Sequence, residues 1–186
     1  MARCIAYREY LLSSDPSLSS SPHFLHHDLR PLHVTLLTLR LASTLQLEQC
    51  IIALKRIHEE IRYHCSYPDR IRLEFNGINT FYGKSLYVQC QSNARLDNLR
   101  TLIIERLCEQ QQKQKMNEIF FAGNYQEFIP HIILFKTKRR FPSLLGSERK
   151  EICFGQQTID TLQLSSIDTN DNDQQNSQCV LKLDLT

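Results

Sequence analysis

Long apolar runs, paired cysteines and a secretory signal are all missing from this sequence. No apolar stretch approaches the ~20 residues that a membrane-spanning helix needs. The N-terminal segment places Glu9 inside a short apolar stretch and has no long apolar core, which is not typical of a signal peptide. The seven cysteines are scattered and form no CxxC pair, which argues against a disulfide framework or a structural zinc site. These absences favour an intracellular protein with reduced, mostly buried thiols and no membrane partner.

A large excess of charge of one sign is also missing. The formal net charge of +2 is too small to predict a nucleic-acid or membrane partner by itself. The 186 residues, with 41% hydrophobic and 23% charged side chains, suit one ordinary globular domain. We therefore predict an N-terminal helix and a Ser/Pro-rich loop over residues 1–28, followed by a folded domain over residues 29–186.

Hydrophobic periodicity predicts alternating strands and helices. Strands repeat apolar residues every second position, and helices repeat them every three or four. Pro and Ser clusters over residues 13–28 predict a loop, and the polar residues 168–178 predict a mobile one. The predicted helices cover residues 3–12, residues 43–61 from a capping box at Ser43 and Gln46, and residues 93–112. The predicted strands cover residues 31–41, 71–75, 86–90, a segment from Pro130, and a pair within residues 154–167 and 179–185.

The apolar run "LRPLHVTLLTLRL" (residues 29–41) carries two polar side chains, His33 and Thr35. On a strand, positions i and i+2 lie on the same face, so the pattern sets an imidazole beside a hydroxyl. Taken alone, this pair is better explained by a buried hydrogen bond than by a functional site.

A second apolar strand, "PHIILFK", also opens with a histidine, His131. If the two similar halves of the chain pack around a pseudo-twofold axis, His33 and His131 face one cleft. Cleavage of a phosphodiester needs a base for the attacking hydroxyl and an acid for the leaving oxygen, and two histidines can divide these roles. A hydroxyl two residues further on can bind the non-bridging phosphate oxygens.

Four sequence blocks in register resemble one known family. Two H-x-[S/T] motifs on paired strands mark the two-histidine (2H) phosphoesterase superfamily. Within it, the chain most resembles the A-kinase anchor protein 7-like phosphoesterase domain, also called the 2'-5' RNA ligase-like domain. The matching blocks are "LHVTLL" (32–37), "LEFNGINTFYGKSLYVQC" (73–90), "FIPHIILFK" (128–136) and "FGQQTIDTLQLSSI" (154–167). The resemblance extends over roughly residues 30–185.

The resemblance implies both an architecture and a chemistry. It implies a bilobal α/β (α+β) fold in which two antiparallel sheets form a central cleft with helices outside. It also implies metal-independent and cofactor-independent cleavage of 2'-5' or 2',3'-cyclic phosphodiesters, and binding of an adenosine monophosphate-like nucleotide or an RNA end. Carried over by position, His33 and His131 are the catalytic acid/base pair and Thr35 is the phosphate-binding residue. We expect the protein to act as a monomer.

The sequence departs from the family pattern at three places. Position 133, where Ser or Thr is expected, is Ile133, so the second motif is degenerate. Only a helix-like segment precedes the first motif, so we expect either a truncated start or a sheet that lacks a strand beside His33. The chain ends in the strand-like "CVLKLDLT" with no helix after it, so binding to a protein kinase A regulatory subunit is not supported.

Three hypotheses about function follow from these residues. The first is a weak or inactive phosphodiesterase that binds a nucleotide or RNA end. The second is a non-catalytic nucleotide-binding or protein-interaction module derived from the same fold, and the third is a chain that does not fold independently. Phe81 and Tyr82 belong either to the core or to a base-stacking surface.

Two further clusters predict no site. The basic residues 136–140 are a solvated strand end or an RNA contact, and we favour the solvated strand end. A metal site at the histidine cluster is not expected, because no partner cluster stands at ligand spacing; its members are His23, His26, His27 and Asp28.

Overall fold

A computed structural model describes residues 2–14, 24–25, 32–113, 120–121, 128–137, 152–168 and 176–185. Its helices are α1 (Ala2–Ser14), α2 (Thr44–Arg56), α3 (His58–Ser66) and α4 (Ala94–Lys113). Its strands are β1 (Phe24–Leu25), β2 (Leu39–Arg40), β3 (Arg72–Phe81), β4 (Ser85–Cys90), β5 (Phe120–Phe121), β6 (His131–Thr137), β7 (Cys153–Thr158), β8 (Thr161–Asp168) and β9 (Asn176–Asp184). In the described part of the chain, no helix is long and apolar enough to cross a membrane.

Antiparallel pairing builds all of the described sheets. The largest has five strands in the order β1-β6-β4-β3-β7, and two smaller sheets pair β2 with β5 and β8 with β9. The predicted α/β fold with antiparallel sheets is confirmed. The loop between β3 and β4 turns tightly because Tyr82 and Gly83 both have positive φ, as a type I′ turn requires.

The hydrophobic core lies between the large sheet and the helices. Strands β3, β4 and β6 contribute alternate side chains, including Phe75, Val88 and Ile132, which are at most 2% exposed. Helix α4 contributes an apolar stripe at the helical spacing from which the helix was predicted: Leu96, Leu99, Ile103 and Leu107 are all buried. The helix begins where predicted, because the Asn93 side-chain oxygen accepts hydrogen bonds from the backbone N–H groups of Arg95 and Leu96.

Helix α1 packs against β7. Cys4 and Leu11 are buried, and the Tyr7 ring meets the Phe154 ring edge-on at 5.5 Å between centroids. The predicted helix is confirmed, but Ile5, which the apolar pattern of residues 3–12 would place towards the core, is 40% exposed. The side of the helix that packs on the core therefore carries Cys4, Tyr7 and Leu11.

The strand predicted over residues 31–41 is mostly wrong. Only Leu39 and Arg40 form a strand, pairing with β5, and residues 32–38 lie outside the described strands. Before this segment the predicted loop contains a two-residue strand, β1, whose register pairs Phe24 with Thr137. Alternating apolar residues specify a face to bury, but the pattern does not supply a hydrogen-bonding neighbour.

The helix predicted from Ser43 to Ile61 is two helices. Ser43 caps α2 as expected, because its hydroxyl accepts a hydrogen bond from the Gln46 N–H, whereas the Gln46 side chain binds the Ala42 N–H. At Ile57 the backbone leaves helical geometry (φ −94°, ψ 5°) and α3 begins. Ile57 remains buried, so the apolar stripe continues across the break.

The C-terminal strands differ from the predicted pair. Strand β7 joins the large sheet beside β3, and β8 pairs with β9. The loop prediction over residues 168–178 is wrong at both ends, because residue 168 ends β8 and residues 176–178 begin β9. Residues 169–175 lie outside the described part of the chain.

The cysteines are all free, as predicted. Cys4, Cys50, Cys65 and Cys90 are buried. Burial raises the pKa of the Cys50, Cys65 and Cys90 thiols to about 11, so these thiols stay protonated near neutral pH. They therefore act as small apolar core residues.

Candidate functional site

His131 stands at the first position of β6, half-buried and held by its neighbours. Its Nδ1 lies 2.7 Å from the carbonyl oxygen of Ile129. A carbonyl can only accept a hydrogen bond, so Nδ1 carries the proton and donates it. In this tautomer of the neutral imidazole, Nε2 is the basic nitrogen and can act as a general base.

The pKa of His131 is lowered from that of an ordinary histidine. Burial is the largest cause, the hydrogen bond to Ile129 opposes it, and the positive charges of His33 and Lys136 add to the lowering. His33 and His131 are therefore within electrostatic range of each other.

His33 and Thr35 lie on one face of the extended segment 32–38. The side chains of Leu32, Val34 and Leu36 pack against the core, whereas His33 and Thr35 are exposed. The expected alternation of faces is present although the segment is not a described strand. A buried hydrogen-bonded His33–Thr35 pair is excluded by this exposure.

Arg100 on α4 connects this segment to the chain that enters β6. Its Nε donates a 3.2 Å hydrogen bond to the carbonyl oxygen of Leu36, and its guanidinium carbon lies 5.0 Å from the centre of the Phe128 ring. One helix thus positions both segments that carry the histidines. Nothing in the local sequence around Arg100 indicates this role.

Two aromatic rings flank His131. Phe81 stacks on Tyr87 at 4.1 Å between centroids, and the two rings meet the imidazole at 4.8 and 5.2 Å, both at steep angles. Phe81 is therefore part of a packed aromatic cluster beside His131. Tyr82 is 89% exposed at the tip of the turn and is not a core residue.

We call the face of the large sheet that carries His131 the site face, and the strand register shows which residues share it. Gln89 is the cross-strand partner of His131, and Tyr87 is the cross-strand partner of Ile133. Residues at i and i+2 share a face, so these four side chains belong together. Ile133 is half-buried at the position where a hydroxyl was expected.

A polar cavity of about 240 Å³ adjoins the site face beside Gln89. Its lining consists of Asn76, Gly77, Ile78, Asn79 and Gln89. The register between β3 and β4 shifts at this point, and Gly77 there has a positive φ of 71°. A β-bulge of this kind redirects side chains, which explains how the side-chain amides meet around one opening.

Several residues of this surface were not predicted from the sequence. Tyr87 and Gln89 alternate with Leu86, Val88 and Cys90, so the same periodicity that predicts the core also places them on the opposite face. Their proximity to His131 depends on the pairing of β4 with β6, which no local pattern reveals.

His58 has a structural role, and the two predicted clusters lie largely outside the described part of the chain. His58 lies 2.6 Å from the carbonyl oxygen of Asp184, which ties α3 to β9. The cluster at residues 23–28, apart from the backbone of β1, and the basic residues 138–140 are outside the described part of the chain.

Comparisons with known proteins identify the family and the fold of the chain. A family model described as the AKAP7 2'5' RNA ligase-like domain matches residues 2–185. Among solved structures, TT0787 of Thermus thermophilus is similar, with a TM-score of 0.62 and 16% sequence identity over 97% of this chain and 92% of that one. No curated protein matches the chain by sequence. The chain has the 2H phosphoesterase fold and belongs to the AKAP7 2'5' RNA ligase-like domain family.

Proposed function

We propose that the protein binds a small nucleotide or an RNA end at the site face and cleaves 2'-5' or 2',3'-cyclic phosphodiesters weakly, without a metal ion. The observation that carries this proposal is the relation between the two histidines. His131 has its Nδ1 bound to a backbone carbonyl and its pKa lowered by burial and by His33. This combination suits His131 as a general base, with a second imidazole to act as the acid.

Because burial favours the neutral form of His131, we assign His131 as the base and His33 as the acid. In hydrolysis of a 2',3'-cyclic phosphodiester, neutral His131 accepts a proton from water at Nε2 while the water oxygen attacks phosphorus. His33, in its imidazolium form, gives a proton to the departing ribose oxygen. Thr35 donates a hydrogen bond to a non-bridging oxygen, where negative charge accumulates in the transition state.

Ile133 favours a second candidate function, a nucleotide-binding module without turnover. Its side chain offers no hydrogen bond to a phosphate oxygen. Removal of one such donor from an oxyanion site costs on the order of 10²- to 10³-fold in rate. A site that keeps both histidines but lacks this donor still has groups that bind a phosphate.

The test uses the full chain with a 2'-5'-linked oligoadenylate and 2',3'-cyclic adenosine monophosphate as substrates. We expect slow turnover that His33→Ala abolishes and Thr35→Ala reduces about tenfold or more. Thr38→Ala is the matched control, since Thr38 is exposed on the same segment, and it should leave turnover unchanged.

Three outcomes separate the candidates. Turnover that depends on His33 supports the phosphodiesterase. Binding of adenosine monophosphate by a folded protein, without turnover, supports the binding module. A folded protein that neither binds the nucleotide nor cleaves either substrate overturns both.

A further inference from the structure

The second motif lacks a hydroxyl at position 133, but a tyrosine lies directly across from it. The register of β4 and β6 pairs Tyr87 with Ile133. Directly opposed residues of an antiparallel pair have Cβ atoms about 4.5–5.5 Å apart and side chains on the same face. The neighbouring strand therefore places a tyrosine side chain beside position 133, on the face where a Ser or Thr hydroxyl was expected.

Packing holds the Tyr87 ring in place beside the base. The Phe81 ring stacks on the Tyr87 ring at 4.1 Å between centroids, and the Tyr87 centroid is 5.2 Å from that of the His131 ring. The side chain is only 5% exposed, so the ring has little freedom to leave the cluster. A hydrogen-bond donor on a fixed ring loses little conformational entropy when it binds a ligand.

We propose that the Tyr87 hydroxyl donates to a non-bridging phosphate oxygen the hydrogen bond that Ile133 cannot donate. This inference rests on the proposed function, because it concerns the phosphate held between His33 and His131. Tyr87 thereby acts in place of the missing second-motif hydroxyl, and the ligand class is a phosphate ester of a nucleoside.

The chemistry of the phenol is appropriate for this role. Burial raises the pKa of Tyr87, so its hydroxyl remains protonated at neutral pH and can donate. The phenol gives up no proton in the reaction, because His131 and His33 carry out the proton transfers. Tyr87 only stabilises negative charge on the phosphate oxygens.

Tyr87→Phe tests the proposal because it keeps the ring and removes the oxygen. Calorimetric titration with adenosine monophosphate and with adenosine separates the phosphate contact from the contacts of the nucleoside. We expect Tyr87→Phe to weaken binding of adenosine monophosphate about tenfold to a hundredfold, as loss of a hydrogen bond to a charged group does, and to leave adenosine binding unchanged. Tyr82→Phe, at the exposed turn, is the matched control and should have no effect.

A rescue experiment provides a second readout that a purely structural role would not affect. Ile133→Thr introduced into Tyr87→Phe should restore most of the lost affinity for adenosine monophosphate. Ile133→Val in the same background matches threonine in shape but has no hydroxyl, so it should not restore the affinity.

The outcomes distinguish failure of this inference from failure of the proposed function. If the unmodified protein binds adenosine monophosphate and Tyr87→Phe binds it equally well, the role of Tyr87 is wrong and the proposed function stands. An equal loss of affinity for adenosine and adenosine monophosphate also overturns the role of Tyr87, as does a failed rescue by Ile133→Thr. If the unmodified protein, folded by its thermal melt, binds neither ligand, both proposals fall.

Discussion

Ile133 is the residue at which the sequence departs most clearly from the chemistry of its family. It lies on the site face two residues after His131, half-buried and opposite Tyr87. Its side chain is branched at Cβ like that of threonine, but it carries an ethyl group in place of the hydroxyl. A substitution at this position therefore tests whether a hydroxyl on the site face supports catalysis.

We predict that Ile133→Thr raises turnover of 2',3'-cyclic adenosine monophosphate at least severalfold, because it adds a donor to the phosphate oxygens. The gain should fall short of the roughly 10²-fold change seen for single oxyanion donors if Tyr87 already supplies part of this stabilisation. Initial rates at saturating substrate measure the effect. Ile133→Val is the control, and an equal gain from valine would show that volume, not the hydroxyl, matters.

His131 provides a prediction about pH. Because burial and the nearby positive charges lower its pKa, the imidazole stays neutral at pH values where an ordinary histidine, with a pKa of about 6.5, is already protonated. The acidic limb of the kcat/KM profile should thus lie below that value. NMR titration of the His131 ring proton checks the shift without requiring activity.

A substitution of Lys136 tests the cause of the lowered pKa of His131. Lys136→Gln removes one of the positive charges that lower the pKa of His131 and should move the titration to higher pH. Lys84→Gln, at an exposed position, should leave it unchanged. A titration of His131 at or above the ordinary value in the unmodified protein would contradict the assignment of a buried neutral base.

The pairing of β4 with β6 turns two ordinary strands into one surface. Gln89 is opposite His131 and also lines the polar cavity. Side-chain amides offer both donors and acceptors without charge, so they suit the edge of a nucleobase better than a phosphate.

We therefore predict that Gln89→Ala weakens binding of adenosine monophosphate about tenfold, the cost of one or two lost hydrogen bonds. Calorimetric titration gives the affinity. Gln91→Ala removes an exposed amide that does not line the cavity, and it serves as the matched control. Equal affinities for the two variants would remove the cavity from the binding site.

Stability of the entire chain depends on the core between the large sheet and the helices. Leu99 on α4 is 0% exposed, whereas Leu45 on α2 is 62% exposed. We predict that Leu99→Ala lowers the free energy of unfolding by about 2–5 kcal/mol, through lost burial and the cavity left behind.

Leu45→Ala should change the free energy of unfolding by less than about 0.5 kcal/mol, since surface substitutions rarely do more. Urea unfolding followed by circular dichroism compares the two variants. A single cooperative transition in the unmodified protein would also dismiss the hypothesis of a chain that cannot fold independently. Equal effects of the two substitutions would contradict the position of the core.

Much of the fold was predictable because it depends on local periodicity. The stripe of α4, the caps at Ser43 and Asn93 and the buried faces of β3 and β4 all follow from the spacing of apolar and capping residues. The same spacing continues through Ile57, so it could not reveal the break between α2 and α3. Nor could it show that residues 32–38 lie outside the described strands, since a strand is defined by its neighbours.

The sequence by itself determined which residues are available for chemistry at the site. His33, Thr35 and His131 are recognisable in the sequence because polar side chains at the starts of apolar segments break an otherwise hydrophobic pattern. The loss of the hydroxyl at position 133 is equally visible. Residue identity and alternation are local properties, and they need no partner strand.

Only the tertiary structure decided what stands beside those residues. The β4–β6 register brings Gln89 opposite His131 and Tyr87 opposite Ile133, and Arg100 joins the two segments that carry the histidines. Register and helix packing result from long-range burial and hydrogen bonding, and a shift of one residue would turn these side chains to the other face. The physical reason is that a strand pattern specifies a face, whereas only a folded neighbour specifies what that face meets.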